Sequence, residues 1–234
     1  HLTAWADAGA MQSRVTDHTG RSVRKWALAS VAASYLRLKF AGSEPLAAHA
    51  DETQRIEPWL TQLSDIVIED WSGQPLEKFN NHEYWAAWAV MATAVALDRR
   101  DYYDWALSQY RRAATQVDSE GYLPNELARE TRALAYHNYS LGPLAMIAAF
   151  AAANGTSLLP EGNYALARLA NRVVSGLDDP EAFRAKTGQK QNLSDVKESS
   201  KFAWMEPYCA ITTCDAAALA RLSQQRPMKT YRLG

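Results

Sequence analysis

Two short stretches hold the side chains best suited to chemistry: Asn80-Asn81-His82-Glu83-Tyr84-Trp85 and Arg129-Glu130-Thr131-Arg132-Ala133-Leu134-Ala135-Tyr136-His137-Asn138-Tyr139. They pool amide, imidazole, guanidinium and phenol groups and leave carboxylates in the minority. That mixture suits a site that holds an anion and moves a proton better than one that hydrolyses with paired acids. Eliminative cleavage of an acidic sugar polymer needs such parts.

Asn80 precedes a helical pattern and Glu83 follows three positions later, the spacing of a capping box. Asn81 and His82 then fall in the first turn, where outward backbone N–H groups and the helix dipole favour an anion. Arg129 and Tyr136 are seven apart, two helical turns, roughly 10 Å on one face if the helix starts early. An Arg129 lying in the preceding loop would come closer to the phenol. His137, Asn138 and Tyr139 are polar groups at the head of an apolar helix, so they are either buried with partners or line a cleft. Of the eight tryptophans, Trp85 and Trp88 sit at i, i+3 in an apolar helix, a pattern of core residues, and one or two of the eight are expected to meet ligand.

Carboxylate pairs give a competing reading. Glu126 and Glu130 share a helical spacing, as do Asp98 and Asp101. An inverting glycosidase, however, needs its carboxyls about 6.5–9.5 Å apart in a suitable pocket. The five histidines (His1, His18, His49, His82, His137) are scattered without metal-site spacing. Neither a glycine-rich phosphate loop nor a GxSxG elbow occurs.

The elements that must position these groups are alanine-rich helices. One is expected over Ser22–Phe40, closed by Gly42-Ser43-Glu44-Pro45, and another over Ala47–Asp70 with Pro58 as a kink. Glu83–Leu97 is apolar on all sides, Asp101–Val117 is amphipathic, and Arg132–Asn154 is again apolar and stops at Asn154-Gly155. Tyr164–Ser175 forms a further helix, Gly188–Ser200 reads as a polar loop, and Phe202–Leu222 is helical in its later part. With no convincing strand, this alternation fits helical hairpins in two layers: an all-α, α/α toroid forming a single domain over residues 1–234. A plain helical bundle is the alternative.

The 234 residues carry 25 basic against 26 acidic side chains, so no global field directs the chain to nucleic acid. No apolar run approaches the roughly 20 residues that span a bilayer, and the segment His1-Leu2-Thr3-Ala4-Trp5 has the character of neither a charged leader nor an apolar signal core. Cys209 and Cys214, close in sequence, form either a disulfide or two buried thiols.

The chain resembles the mannuronate-specific alginate lyases of polysaccharide lyase family 5. The likeness rests on Asn80-Asn81-His82-Glu83-Tyr84-Trp85-Ala86-Ala87-Trp88, Gly121-Tyr122-Leu123-Pro124-Asn125-Glu126-Leu127 and Arg132-Ala133-Leu134-Ala135-Tyr136-His137-Asn138-Tyr139. Arg24-Lys25-Trp26-Ala27-Leu28, Pro143-Leu144-Ala145-Met146-Ile147 and Glu206-Pro207-Tyr208-Cys209-Ala210 extend it over nearly the whole chain. The resemblance implies an α/α toroid with a deep cleft, a periplasmic location, polymannuronate as substrate, and action as a monomer without metal or organic cofactor. It places the catalytic groups at Asn81, His82, Arg129 and Tyr136; their polar and aromatic neighbours Trp85, Arg132, His137, Asn138 and Tyr139 are expected to bind substrate. It also implies that a family N-terminal part with a lid loop is missing ahead of His1, and that Cys209 and Cys214 are bridged.

The expected reaction is β-elimination. Asn81, His82 and Arg129 would hold the uronate carboxylate while the C5 proton leaves, and Tyr136 would protonate the departing O4. Either Tyr136 or His82 serves as the base. A non-catalytic alginate-binding protein within an export assembly and a toroidal glycoside hydrolase are the two other classes.

Overall fold

The computed structural model describes residues 1–233, and among them every regular element is helical. The helices are α1 (Leu2–Asp7), α2 (His18–Lys39), α3 (Ala50–Trp71), α4 (Asn81–Leu97), α5 (Arg100–Gln116), α6 (Pro124–Leu127), α7 (Ala133–Ala153), α8 (Glu161–Asp178), α9 (Glu181–Thr187), α10 (Met205–Ile211) and α11 (Ala216–Gln225). Tighter 3-10 turns cover Glu130–Arg132, Ser194–Val196 and Ser199–Phe202. No helix of the described residues is long and apolar enough to cross a membrane.

The long helices lie where periodicity places them, and local chemistry sets their ends. α2 begins before Ser22 because the Asp17 carboxylate accepts the Gly20 N–H at 2.8 Å, a side-chain N-cap. α3 continues through Pro58. α7 closes at Asn154, with Gly155 at φ +80°, the left-handed cap the Asn-Gly pair suggests. The regular turns of α8 begin only after Gly162, Asn163 and Tyr164, all at positive φ. Phe202–Leu222 breaks into α10 and α11. The Cys209–Cys214 disulfide spans the break, and Asp215 caps α11 through the Ala218 N–H.

The chain divides into two compact units. One comprises His1–Gly73, Trp85–Ala106 and the tail from Tyr231. Within it α2 and α3 form an antiparallel hairpin: Arg24 meets Asp70 at 2.7 Å while Tyr35, further along, meets Glu57 at 2.8 Å. Leu28, Ala32 and Leu36 of α2 are buried with Ile56, Leu60, Leu63 and Val67 of α3. Each fully buried aliphatic of this size contributes about 1.5–3 kcal/mol.

The other unit comprises Gln74–Tyr84 and Leu107–Thr230. Its centre is α7, buried from Ala133 to Ala135 and again from Leu141 to Ala145, and packed on α8 and α10. Tyr122, Leu134 and Phe183 form a small apolar cluster at the head of α7. A turn of Asp118–Tyr122 leads into that cluster, with the Asp118 carboxylate accepting the N–H groups of Glu120 and Tyr122 at 2.9 and 2.8 Å. Gly121 permits it: φ is +88°, and a Cβ there would stand 2.4 Å from the Arg168 carbonyl.

Candidate active site

All four residues expected to be catalytic, Asn81, His82, Arg129 and Tyr136, belong to the second unit. The start of α4 is held by the capping box the sequence predicts. The Asn80 N–H donates to Glu83 Oε2 at 2.8 Å, and Asn80 Oδ1 accepts the His82 N–H at 3.1 Å. The approach to this cap is pinned from two sides. The carbonyls of Leu76 and Phe79 each accept from Gln116 at the end of α5 and from Asn125 in α6, all at 2.8–2.9 Å. Gln116 Oε1 in turn accepts the Tyr84 hydroxyl at 2.8 Å. His82 is half-buried at this helix start, whereas Asn81 is only 1 % exposed.

Asn81 is buried because it meets Glu126. In α6, which opens with Pro124 in its first turn, Glu126 lies wholly inside the protein. Its Oε1 accepts both the Asn81 backbone N–H at 2.7 Å and the Asn81 side-chain amide at 2.8 Å. Its Oε2 lies 3.5 Å from Arg129 Nε, an ion-pair distance too long for a well-formed hydrogen bond. Burial pushes the Glu126 carboxyl above its ordinary range, while the Asn81 donors and the Arg129 charge pull it back.

Arg129 sits in the link between α6 and α7, which brings its guanidinium close to the phenol two turns on. Its centre is 4.8 Å from the Tyr136 ring centroid, and that of Arg132 is 4.9 Å away. Tyr139 meets the same ring edge-on at 6.3 Å. Tyr136 is half-buried, and the two arginine side chains are 37 % and 51 % exposed, so the ring has beside it two cations still open to solvent.

The link is held in shape by the segment that the sequence marks only as a polar loop. Gln191 Oε1 accepts the Leu134 N–H at 3.0 Å while its amide donates to the Glu130 carbonyl at 2.9 Å. The Asn192 N–H donates to the Thr131 carbonyl at 2.6 Å, and Asp195 pairs with Arg132 at 2.7 Å. These bonds supply partners that the first turn of a helix lacks. They also hold Glu130 at φ +52°.

The structure corrects part of the expected substrate-binding set. His137 is fully buried: its Nε2 accepts the Leu123 N–H at 2.8 Å and its Nδ1 lies 2.8 Å from the Ala133 carbonyl. Burial pulls its pKa down to about 4, against the opposing effect of the Ala133 carbonyl, so the ring is neutral and locks two chain segments together. Asn138 is also buried, donating to the Lys201 carbonyl at 3.0 Å and accepting the Trp204 indole N–H at 2.8 Å. Trp85 belongs to the first unit and is 4 % exposed, a core residue with the Arg232 guanidinium 5.9 Å from its ring. Arg132 and Tyr139 remain beside Tyr136. Of the candidate carboxylate pairs, Glu126 is buried while Glu130 is exposed, and Asp98 and Asp101 are both exposed.

No spacing in the sequence marks Glu126 as a link to Asn81 and Arg129, or Gln191 as a clamp. The one cue to Glu126 was its place directly after Pro124-Asn125 at a short helix start.

Residues 1–183 match the family described as Alginate lyase. Curated proteins named alginate lyase are similar over the full chain: 55 % identity over 233 residues for those of Pseudomonas fluorescens and Cobetia marina, and 55 % for that of Pseudomonas aeruginosa. The chain spans 63 %, 62 % and 64 % of those three proteins. Among solved structures, alginate lyase A1-III from Sphingomonas species A1 superimposes with a TM-score of 0.82 at 21 % identity, covering 100 % of this chain and 65 % of that one. A form of A1-III complexed with a tetrasaccharide gives 0.76 at 22 % identity over 88 % of this chain and 59 % of that one. At such identity the likeness is one of fold, and it bears out the all-α, α/α toroid class that the helix pattern indicates.

Proposed function

The chain belongs to the alginate lyase family, and from that premise we propose that it acts on alginate, cleaving poly-β-D-mannuronate by β-elimination to leave unsaturated uronate ends. The single observation that carries this reading is the Arg129 guanidinium, placed between the buried Glu126 carboxylate and the Tyr136 ring. A hydrolase built on paired acids has no use for that arrangement.

The chemistry follows from charge. The C5 proton of a uronate is weakly acidic because its removal places a second negative charge beside the carboxylate. Arg129 and the half-exposed His82 at the start of α4 meet that carboxylate, with Asn81 set behind them on Glu126. Preorganised donors of this kind are worth about 3–4 kcal/mol each in the transition state. Tyr136 gives a proton to the departing O4. In mannuronate H5 and O4 lie on one ring face, so the same phenolate can first take the C5 proton and then deliver it. The guanidinium groups of Arg129 and Arg132 stand beside the ring that carries out this transfer.

The Cys209–Cys214 disulfide supports an oxidising compartment and hence a periplasmic location. The deciding experiment incubates the protein separately with mannuronate and guluronate polymers. Release of unsaturated uronate, read by ultraviolet absorbance and faster on mannuronate, is the expected result. New reducing ends without unsaturation would instead make it a hydrolase, and binding without any new ends a carbohydrate-binding protein.

A further inference from the structure

Glu126 has no part in proton transfer, yet two of the proposed site residues end on it. Its Oε1 takes both donors of Asn81, 45 positions earlier in the chain, and its Oε2 faces Arg129. We propose that Glu126 is a positioning residue: one buried carboxylate that fixes Asn81 at the start of α4 and Arg129 ahead of α7 in a single frame, and turns the far edge of the Arg129 fork toward the substrate carboxylate. The inference rests on the functional reading above and goes beyond it by naming what holds the anion-binding groups in register.

Three observations carry it. First, a carboxylate with no solvent exposure is costly unless paired, and a residue kept only for packing would not need the charge. Second, the pairing is uneven: Oε1 is doubly bonded while Oε2 stands 3.5 Å from Arg129 without a hydrogen bond. A purely structural network saturates its buried atoms. Third, Arg129 faces Glu126 through Nε, which leaves its outer N–H groups for another anion.

The charged and titratable groups that interact with Glu126 are Arg129 on its own turn and Tyr84 on α4, whose phenol is raised first by burial and then by Glu126 and Glu83. The sign of the stability effect follows. A carboxyl whose pKa is raised on folding supports the fold below its unfolded pKa, and that support is lost as pH rises through the folded value. Above it, the ionised group costs stability. A neutral isostere therefore removes a cost wherever the parent carboxyl is ionised.

The test compares the parent with Glu126→Gln and Glu126→Asp on mannuronate polymer at pH 8, together with thermal melting of each. Gln keeps an acceptor for both Asn81 donors but loses the charge that aims Arg129. Asp keeps the charge but withdraws it by one methylene. Both are expected to lower kcat about 10- to 100-fold with KM within about threefold, because a small misplacement acts on groups that work in the transition state. Glu126→Gln is expected to melt at or above the parent temperature. A Gln variant with parental kcat, or losses that track a lowered melting temperature, would overturn the proposal, as would full activity in Glu126→Asp. If Glu126→Gln does not fold, the Asp variant decides. A parent that releases no unsaturated uronate sinks the functional reading and the inference with it, whereas an active parent beside equally active variants sinks the inference alone.

Discussion

The α2–α3 hairpin and the junction of α4, α6 and α7 both bury charge, and they do so in opposite ways. In the hairpin, Arg24 is 4 % exposed and each of its three nitrogens has a partner: it meets Asp70 at 2.7 Å and donates to the carbonyls of Met11 and Ser13 at 2.8 and 2.5 Å. Lys25 beside it stands 3.3 Å over the Trp71 ring. At the junction, Glu126 keeps one oxygen only loosely engaged, and its cationic partner reaches solvent and an aromatic ring. A buried charge whose partners are complete ties helices together. One left partly satisfied beside exposed groups is where a protein binds or reacts.

Substitutions can break this contrast. Arg129→Ala is expected to reduce turnover per folded molecule on mannuronate polymer about 10²–10³-fold, the cost of one preorganised donor, and to lower the melting temperature as well, because it strands the buried Glu126 carboxylate. Parental turnover per folded molecule would place Arg129 with the structural charges. Arg24→Ala should cost stability alone. It strands Asp70 and two carbonyls and costs about 3 kcal/mol in denaturant unfolding, while kcat per folded molecule is unchanged.

His137 sharpens the comparison through pH. Its folded pKa of about 4 lies below the ordinary 6.5, so between those values the unfolded chain binds the extra proton and the folded one does not. Stability from this group is present above pH 6.5 and is lost as pH falls toward 4, by roughly 3 kcal/mol in all. Unfolding curves of the parent and His137→Gln across that window should differ in slope, the parent falling more steeply. The smallest effect belongs to Arg132→Ala. Asp195 already shares that charge on the surface, and about a 3- to 10-fold loss of kcat/KM is expected in steady-state kinetics, most of it at low salt.

Much of the frame was legible before any coordinates. Helix existence followed from periodicity, and the Asn80–Glu83 cap and the Asn154–Gly155 stop are local chemistry written within four residues. The site was legible in residue type but not in direction. α7 is apolar on every side, so its pattern cannot say that Tyr136 opens to solvent while His137 and Asn138 turn inward. Their orientation is decided by Leu123, Lys201 and Trp204, up to 66 positions away. Glu126 and Gln191 were hidden for the same reason: each acts across a long separation, on Asn81 and on Leu134, and neither carries a spacing signal.

The role given to the phenol is tested most directly by Tyr136→Phe, assayed beside the parent on mannuronate polymer for unsaturated uronate, with polymer binding and melting followed in parallel. The account predicts a fall in turnover of about 10³-fold or more, while binding stays within a few-fold and the melting temperature is preserved. A Phe variant that eliminates at the parental rate would contradict it.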